Sequence, residues 1–303
     1  MAYRCGFVAL LGRPNVGKST LLNRMVGFKI AIESPVAQTT RHRIKGVVTS
    51  DRGQIVFLDT PGFSKAVDKL GQYLTQEGEA ALAEADAFVL VVDGSQPPGK
   101  GDEWVAQQLQ KTGKFVLIAV NKMDLLKDTD RRANHLATYK YLFKNYDNSQ
   151  ALWISAKTGK HIDSIAETLL RKMPEGPALY PDDSATDQRL REIAAEMIRE
   201  KVLLNTREEI PHSVAIGIES FDESDPKITR IKATLYVDQE SQKGILIGQG
   251  GKMIKTIGTE ARKEIETLLE GQKVHLELMV KTRKDWRKDE QFLRSLGLAP
   301  PVS

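Results

Sequence analysis

The sequence predicts an α/β domain with a mostly parallel sheet and helices on both faces, followed by a smaller α+β domain. Three observations carry this. Over residues 1–174, short apolar runs alternate with helix-length segments, as repeated βαβ units require. A G-x-x-x-x-G-K-[ST] octet stands where the first apolar run turns into the first helical segment, which is the setting of a phosphate-binding loop. Residues 173–183 then hold three prolines and a glycine, and the elements beyond them read α-β-β-α-loop-α-β.

The first strand, residues 7–11, leads into Gly12-Arg13-Pro14-Asn15-Val16-Gly17-Lys18-Ser19-Thr20, and residues 21–26 have helical spacing. The glycines let the backbone curl and aim its N–H groups inward, while the helix N-terminus adds its positive end. Lys18 is placed to reach the β- and γ-phosphates, and the Ser19 hydroxyl to join a Mg²⁺ shell. Residues 28–43 form a polar stretch containing Gln38-Thr39-Thr40-Arg41. A threonine here can close over Mg²⁺ and the γ-phosphate and let go when that phosphate is lost. Thr40 is the first candidate and Thr39 the second, because spacing alone does not separate them.

Residues 44–50 and 54–58 read as a hairpin around Asp51-Arg52-Gly53. The second strand ends in Asp59-Thr60-Pro61-Gly62, where the carboxylate can hold Mg²⁺ and the Gly62 N–H can sense the γ-phosphate. Phe63 follows where related nucleotide switches carry a glutamine that orients the attacking water. A phenyl ring makes no such hydrogen bond, so slow intrinsic hydrolysis is expected. A helical segment over 67–85 precedes the buried strand 88–93, and a second buried strand, 115–120, runs into Asn121-Lys122-Met123-Asp124. At a strand's C-terminal edge this loop chooses the base. The Asp124 carboxylate accepts from guanine N1–H and the exocyclic amine, Asn121 ties the loop, and the Lys122 stem covers the ring. A last short strand, 151–154, ends in Ser155-Ala156-Lys157, with the Ala156 N–H directed at guanine O6, and a helix over 162–173 completes the domain.

These motifs, with G-R-P-N-V-G-K-S-T in the loop and Q-T-T-R-H in the switch, resemble the TrmE–Era–EngA branch of small P-loop GTPases, and within it the Era family, over residues from about 3 to 174. The resemblance implies GTP hydrolysis to GDP, and a K⁺ ion held with the help of Asn15. It also implies a hydrophobic residue in place of the catalytic glutamine, as Phe63 is. Lys18, Thr40, Asp59 and Gly62 are the candidate catalytic residues, and Ser19, Thr40 and Asp59 the candidate Mg²⁺ set.

Residues 175–186 read as a stiff linker. From there Asp187 is expected to cap a helix running to 205, with Leu190, Ile193, Ala194, Met197 and Ile198 on one face. Strands 214–220 and 228–237 follow, then Ile247-Gly248-Gln249-Gly250-Gly251-Lys252 between two helices, and a strand over 274–280. The loop lets a nucleic-acid backbone approach closely, Lys252 and Lys255 can neutralise phosphates, and Ile245, Ile247 and Ile254 can line a groove for unstacked bases. The order resembles a type II KH domain, covering 187–284. A second mononucleotide loop is the competitor, but the lysine spacing and the preceding strand are missing. In the tail, 285–303, Trp286 lies among basic residues and can either stack on RNA or pin the tail to the domain. Leu293, Leu296 and Leu298 make an apolar end without an evident role.

The single cysteine, Cys5, leaves no disulfide framework. No run reaches the roughly 18 apolar residues of a membrane span, so a cytoplasmic protein is expected. The five histidines show no metal-ligand spacing. Net charge is only +4, yet residues 241–288 hold 11 Lys/Arg against 6 Asp/Glu while 181–240 hold 8 against 14, which puts the basic surface beside the glycine loop. The family resemblance implies a monomer that binds 16S ribosomal RNA near its 3′ end and assists its processing and 30S subunit assembly. It also implies links to growth and the cell cycle, an activating or exchange protein, and a fraction at the inner membrane surface. Two rivals remain: a signalling GTPase whose KH-like domain docks a protein or membrane, and an RNA chaperone whose nucleotide site is only structural.

Overall fold

Apolar runs without alternation need cover on both faces, and they supply the centre of a six-stranded sheet in the computed structural model, which describes residues 2–36, 39–61 and 68–299. The strands β1 (Arg4–Leu11), β2 (Ile44–Ser50), β3 (Gly53–Asp59), β4 (Ala87–Asp93), β5 (Phe115–Asn121) and β6 (Ser149–Trp153) lie in the order β2-β3-β1-β4-β5-β6. Every residue of β3 and β5 is buried. All neighbours are parallel except β2, which turns back on β3 through Asp51-Arg52. Helices α1 (Lys18–Val26), α2 (Lys69–Glu84), α3 (Lys100–Gln110), α4 (Thr129–Tyr141) and α5 (Asp163–Leu170) make the crossovers. One core face joins Phe88, Leu90 and Ile118 to Val105, Leu109 and Tyr139. Because the central strands are parallel, the loops after β1, β3, β4, β5 and β6 emerge at one edge. The register places Leu10 opposite Asp59 and Asp93 opposite Asn121.

The described residues divide into two compact units near position 187. The stretch expected to link them, 175–186, lies hydrogen-bonded along the first unit. Arg4 bridges to Glu175 and Gly46 to Thr186, and Val47 N–H donates to Ala185 O at 2.9 Å. The wholly buried Gln54 accepts from the Leu179 and Tyr180 N–H groups and donates to Tyr180 O, each at 2.9 Å. Asp187 does not cap a helix as expected. Its carboxylate pairs with Lys45 at 3.0 Å, and the next helix begins at Leu190, where the Glu192 side chain accepts from Arg189 N–H at 3.2 Å.

The second unit contains residues 188–299, with 32–36 and 68–73 clustering beside them. Its elements are α6 (Leu190–Asn205), α7 (Ile210–Ser213), β7 (Ala215–Asp222), β8 (Ile228–Val237), α8 (Glu240–Ile247), α9 (Lys252–Leu268), β9 (Lys273–Thr282) and α10 (Glu290–Ser295). The sheet order is β7-β8-β9, with β7 antiparallel and β9 parallel to β8. Ile193, Ala194, Met197 and Ile198 are buried on the α6 face as expected, whereas Leu190, in the first turn, is 38% exposed.

The tail resolves the alternatives for Trp286. Its ring is fully buried and its Nε1–H donates to Ser213 O at 2.8 Å, so it pins the tail. Arg283 stacks 4.0 Å from the Phe292 ring centre and pairs with Asp289 at 2.7 Å, while Phe292 meets Tyr236 edge-on. Leu293 is fully buried, which gives the apolar end its role. Among the described residues no helix is long and apolar enough to cross a membrane.

Candidate functional site

The phosphate loop is held in a shape that only its glycines allow. Gly12 sits at φ +146° with a Cβ position 2.2 Å from Val91 O, and Gly17 at φ +99° with one 2.5 Å from Asn121 Nδ2. Any side chain there would collide with its neighbours. Gly17 is the N-cap of α1, whose first residue, Lys18, is buried and donates from Nζ to Gly12 O at 3.0 Å and Arg13 O at 3.1 Å. Asn15 takes a left-handed φ of 62°. Arg13 turns to α3, where Nε donates at 2.8 Å to the wholly buried Asp102. Pro14 and Thr20 lie within the loop and the first turn of α1, and Val16 is buried against the sheet.

Beneath the loop three oxygens converge. Ser19 Oγ donates to Asp59 Oδ2 at 2.8 Å, Thr40 Oγ1 donates to the same oxygen at 3.2 Å, and the two hydroxyls are 3.3 Å apart. Of the two candidate threonines, Thr40 is the one that brings its hydroxyl to this cluster. Asp59 is fully buried, and its other oxygen, Oδ1, has no hydrogen-bond partner among the described residues. A buried carboxylate oxygen left unpaired is costly. A hard divalent cation takes oxygen donors of this kind, so the residues present fit Mg²⁺. Burial pushes the Asp59 carboxyl up, against the Lys18 ammonium and the two hydroxyls. Burial pulls Lys18 down, against Asp59. Thr60 and Pro61 are buried, with Thr60 Oγ1 donating to Leu10 O at 3.3 Å. Gly62 and Phe63 lie outside the described residues.

The base loop is built by cross-links between loops. Asn121 Nδ2 donates to Val16 O at 2.8 Å, and its Oδ1 accepts from Ala156 N–H at 2.9 Å. The Ala156 N–H expected at guanine O6 is thus engaged by Asn121. Ser155 Oγ donates to Asp124 Oδ1 at 2.6 Å, which orients that carboxylate. Lys122, at φ 64°, places Nζ 2.7 Å from Asp93 Oδ2. Arg24 secures the last loop by donating to Ala156 O at 3.2 Å and Lys157 O at 2.7 Å. Asn23 grips the start of the 28–43 stretch, accepting from the Ile30 and Ala31 N–H groups and donating to Ala31 O. Sequence reasoning missed Asn23, Arg24, Asp93 and Asp102. Only Asp93 carried a signal, as a carboxylate ending an otherwise apolar strand at the ligand edge.

In the second unit α8 ends at Ile247, and Gly248, Gly250 and Gly251 take positive φ of 70°, 60° and 76°. A Cβ at Gly250 or Gly251 would meet nothing within 4 Å, so these glycines are required by backbone conformation and the space above them is open. Gln249, Lys252 and Lys255 are exposed beside the loop, Ile245 is 47% exposed, and Ile247 and Ile254 are half-buried. Leu246 and Ile257 serve the core instead.

Residues 7–122 match the family described as 50S ribosome-binding GTPase, and residues 209–287 the KH domain family. The GTPase Era of Heliobacterium modesticaldum is 45% identical over 294 residues, 97% of both chains. That of Nostoc sp. is 45% identical over 295 residues, 97% of this chain and 90% of the other. Among solved structures, a variant of Aquifex aeolicus Era bound to GDP·AlF4⁻ superposes with a TM-score of 0.90 at 38% identity, covering 98% of this chain and 100% of that one. The same values hold for Era in complex with MgGDPNP and nucleotides 1506–1542 of 16S ribosomal RNA. With its phosphate loop, its Asn121–Asp124 loop and its open glycine loop all in place, this chain belongs to the Era family of GTPases, a P-loop GTPase domain followed by a KH domain.

Proposed function

We propose that this protein is a guanine-nucleotide-gated RNA-binding GTPase that holds 16S ribosomal RNA near its 3′ end and assists its processing and 30S subunit assembly. The observation that carries the reading is that one chain holds both a buried hydroxyl–carboxylate cluster of Ser19, Thr40 and Asp59 and a solvent-open loop at Gly250-Gly251. Relatives crystallised with a magnesium-bound GTP analogue and 16S fragment, and with GDP·AlF4⁻, support it.

Ser19, Thr40 and Asp59 would hold Mg²⁺, which when bound neutralises charge on the phosphates. Lys18 and the 12–18 backbone bind phosphate oxygens, Asn121 locks the base loop to the phosphate loop, and Asp124 reads guanine. Phe63 orients no water, so the unassisted rate stays below about 1 s⁻¹. Asn15 joins a K⁺ site that raises this rate, and an activating or exchange protein sets the cycle. With GTP bound, Thr40 holds residues 33–43 in order and the KH domain holds RNA through Gly248, Gln249, Gly250, Gly251, Lys252, Lys255 and Ile247. Hydrolysis releases both. The protein acts as a cytoplasmic monomer with a peripheral fraction at the inner membrane, in step with growth and the cell cycle.

The test is the affinity for a short single-stranded RNA from the 16S 3′ end, in the Mg·GTP-analogue and GDP states. A difference of about tenfold, near 1.4 kcal/mol of coupling, is expected. Equal tight binding removes the gating, and no binding in either state favours a domain that docks protein or membrane.

A further inference from the structure

The loop after β4 has no part in the familiar motifs, yet the base-reading lysine is tied to it. Asp93 ends β4 and is paired in register with Asn121. Its Oδ2 accepts from Lys122 Nζ at 2.7 Å, and its Oδ1 accepts from Ser95 N–H at 3.0 Å and Ser95 Oγ at 2.6 Å. The backbone around it has further holds besides the carboxylate. Tyr139 OH donates to Asp93 O at 3.0 Å, Gly94 N–H to Asn121 O at 2.8 Å, and His135 Nδ1 lies 2.8 Å from Gly94 O. Oδ1 thus braces the turn through Ser95, and Oδ2 is left to hold Lys122. Lys122 meanwhile adopts a left-handed backbone conformation that non-glycine residues disfavour, and only its ammonium end is fixed by the salt bridge.

We propose that Asp93 is a positioning residue for guanine nucleotide binding, which pins the Lys122 ammonium so that the lysine stem is set in place before the purine ring lies along it. The proposal rests on the reading that the Asn121–Asp124 loop takes guanine. Burial pushes the Asp93 carboxyl up, and the Lys122 and Ser95 donors outweigh this, so it lies below its ordinary range and stays charged at neutral pH. Fixing a flexible four-carbon stem in advance removes an ordering cost at the moment of binding. Asp93 acts through Lys122.

The test is a double-mutant cycle on the full chain, read as the dissociation rate and affinity of fluorescent GDP. Asp93→Asn keeps the acceptor for Ser95 but loses the charge. It should release GDP about tenfold faster, as a lost charge-assisted hydrogen bond implies. Lys122→Ala should do the same, and the double variant should be no worse than Lys122→Ala alone. The ratio of GDP to IDP affinity should stay unchanged in Asp93→Asn, because Asp124 and Ser155 are intact, whereas a collapsed loop would lose it. If Asp93→Asn folds poorly, Ser95→Ala gives a smaller acceleration that disappears in the Lys122→Ala background. Multiplying effects, or an unchanged release rate in Asp93→Asn, would overturn the proposal alone. A wild-type chain that binds no GDP would overturn it together with the guanine reading.

Discussion

Asp59 takes the Ser19 and Thr40 hydroxyls on one oxygen, and that contact separates the two neighbouring threonines by function. Thr40→Ala should weaken Mg²⁺-dependent binding of a GTP analogue about tenfold or more, while Thr39→Ala leaves it nearly unchanged; titrating analogue affinity against Mg²⁺ distinguishes them. Lys18→Ala should abolish turnover, measured as phosphate release. The salt bridge at Asp93 has a pH signature. Its folded-state carboxyl lies below the ordinary value, so its stabilisation is complete above that ordinary value and is lost as pH falls through the depressed one. The difference in unfolding temperature between wild type and Asp93→Asn should accordingly be present at pH 7 and shrink below about pH 4. Lys18, Ser19, Asn121 and Asp124 were legible in the sequence because contiguous residues at one strand end make their motifs. Arg24 and Asp102 were not, because each acts on a segment far away in sequence, and no local spacing marks such a contact; Asn23 reaches only to Ile30 and Ala31, but no motif marks it.

At the scale of elements, the buried parallel strands announced themselves by their apolar runs, and each observed strand lies within a few residues of its expected span. The glycine loop shows why its residues are there: Gly250 carries a positive φ under open space. Gly250→Asp adds strain and a negative charge where a phosphate would approach. RNA affinity should fall at least tenfold, with GDP affinity unaltered, and a filter-binding assay at two salt concentrations would check the loss. The segment around Trp286 was ambiguous, since an aromatic among cations suits a stacking platform and a buried anchor equally well. Burial decides it, and Trp286→Ala should cost about 3–5 kcal/mol of stability in urea unfolding. Asp187 misled for a related reason. An acidic residue before a helical pattern reads as a cap, but Lys45, 142 positions earlier, claims its carboxylate.

For the molecule as a whole, the order of its two domains was legible because the motifs of each lie on one side of position 187. The handling of the chain between them was not. Three prolines and a glycine suggest a stiff linker, and nothing local reveals that a single buried amide, Gln54, gathers in the backbone at 179 and 180 while β2 takes up 185 and 186. Dissection of the chain therefore has a hidden right place. A fragment stopped at Met173 would bare the outer edge of β2 and strand the Gln54 amide, and should precipitate, whereas one carried through Gln188 should stay in solution. Proteases would find the same answer, nicking near 188 and sparing the proline-rich residues that look most open to them.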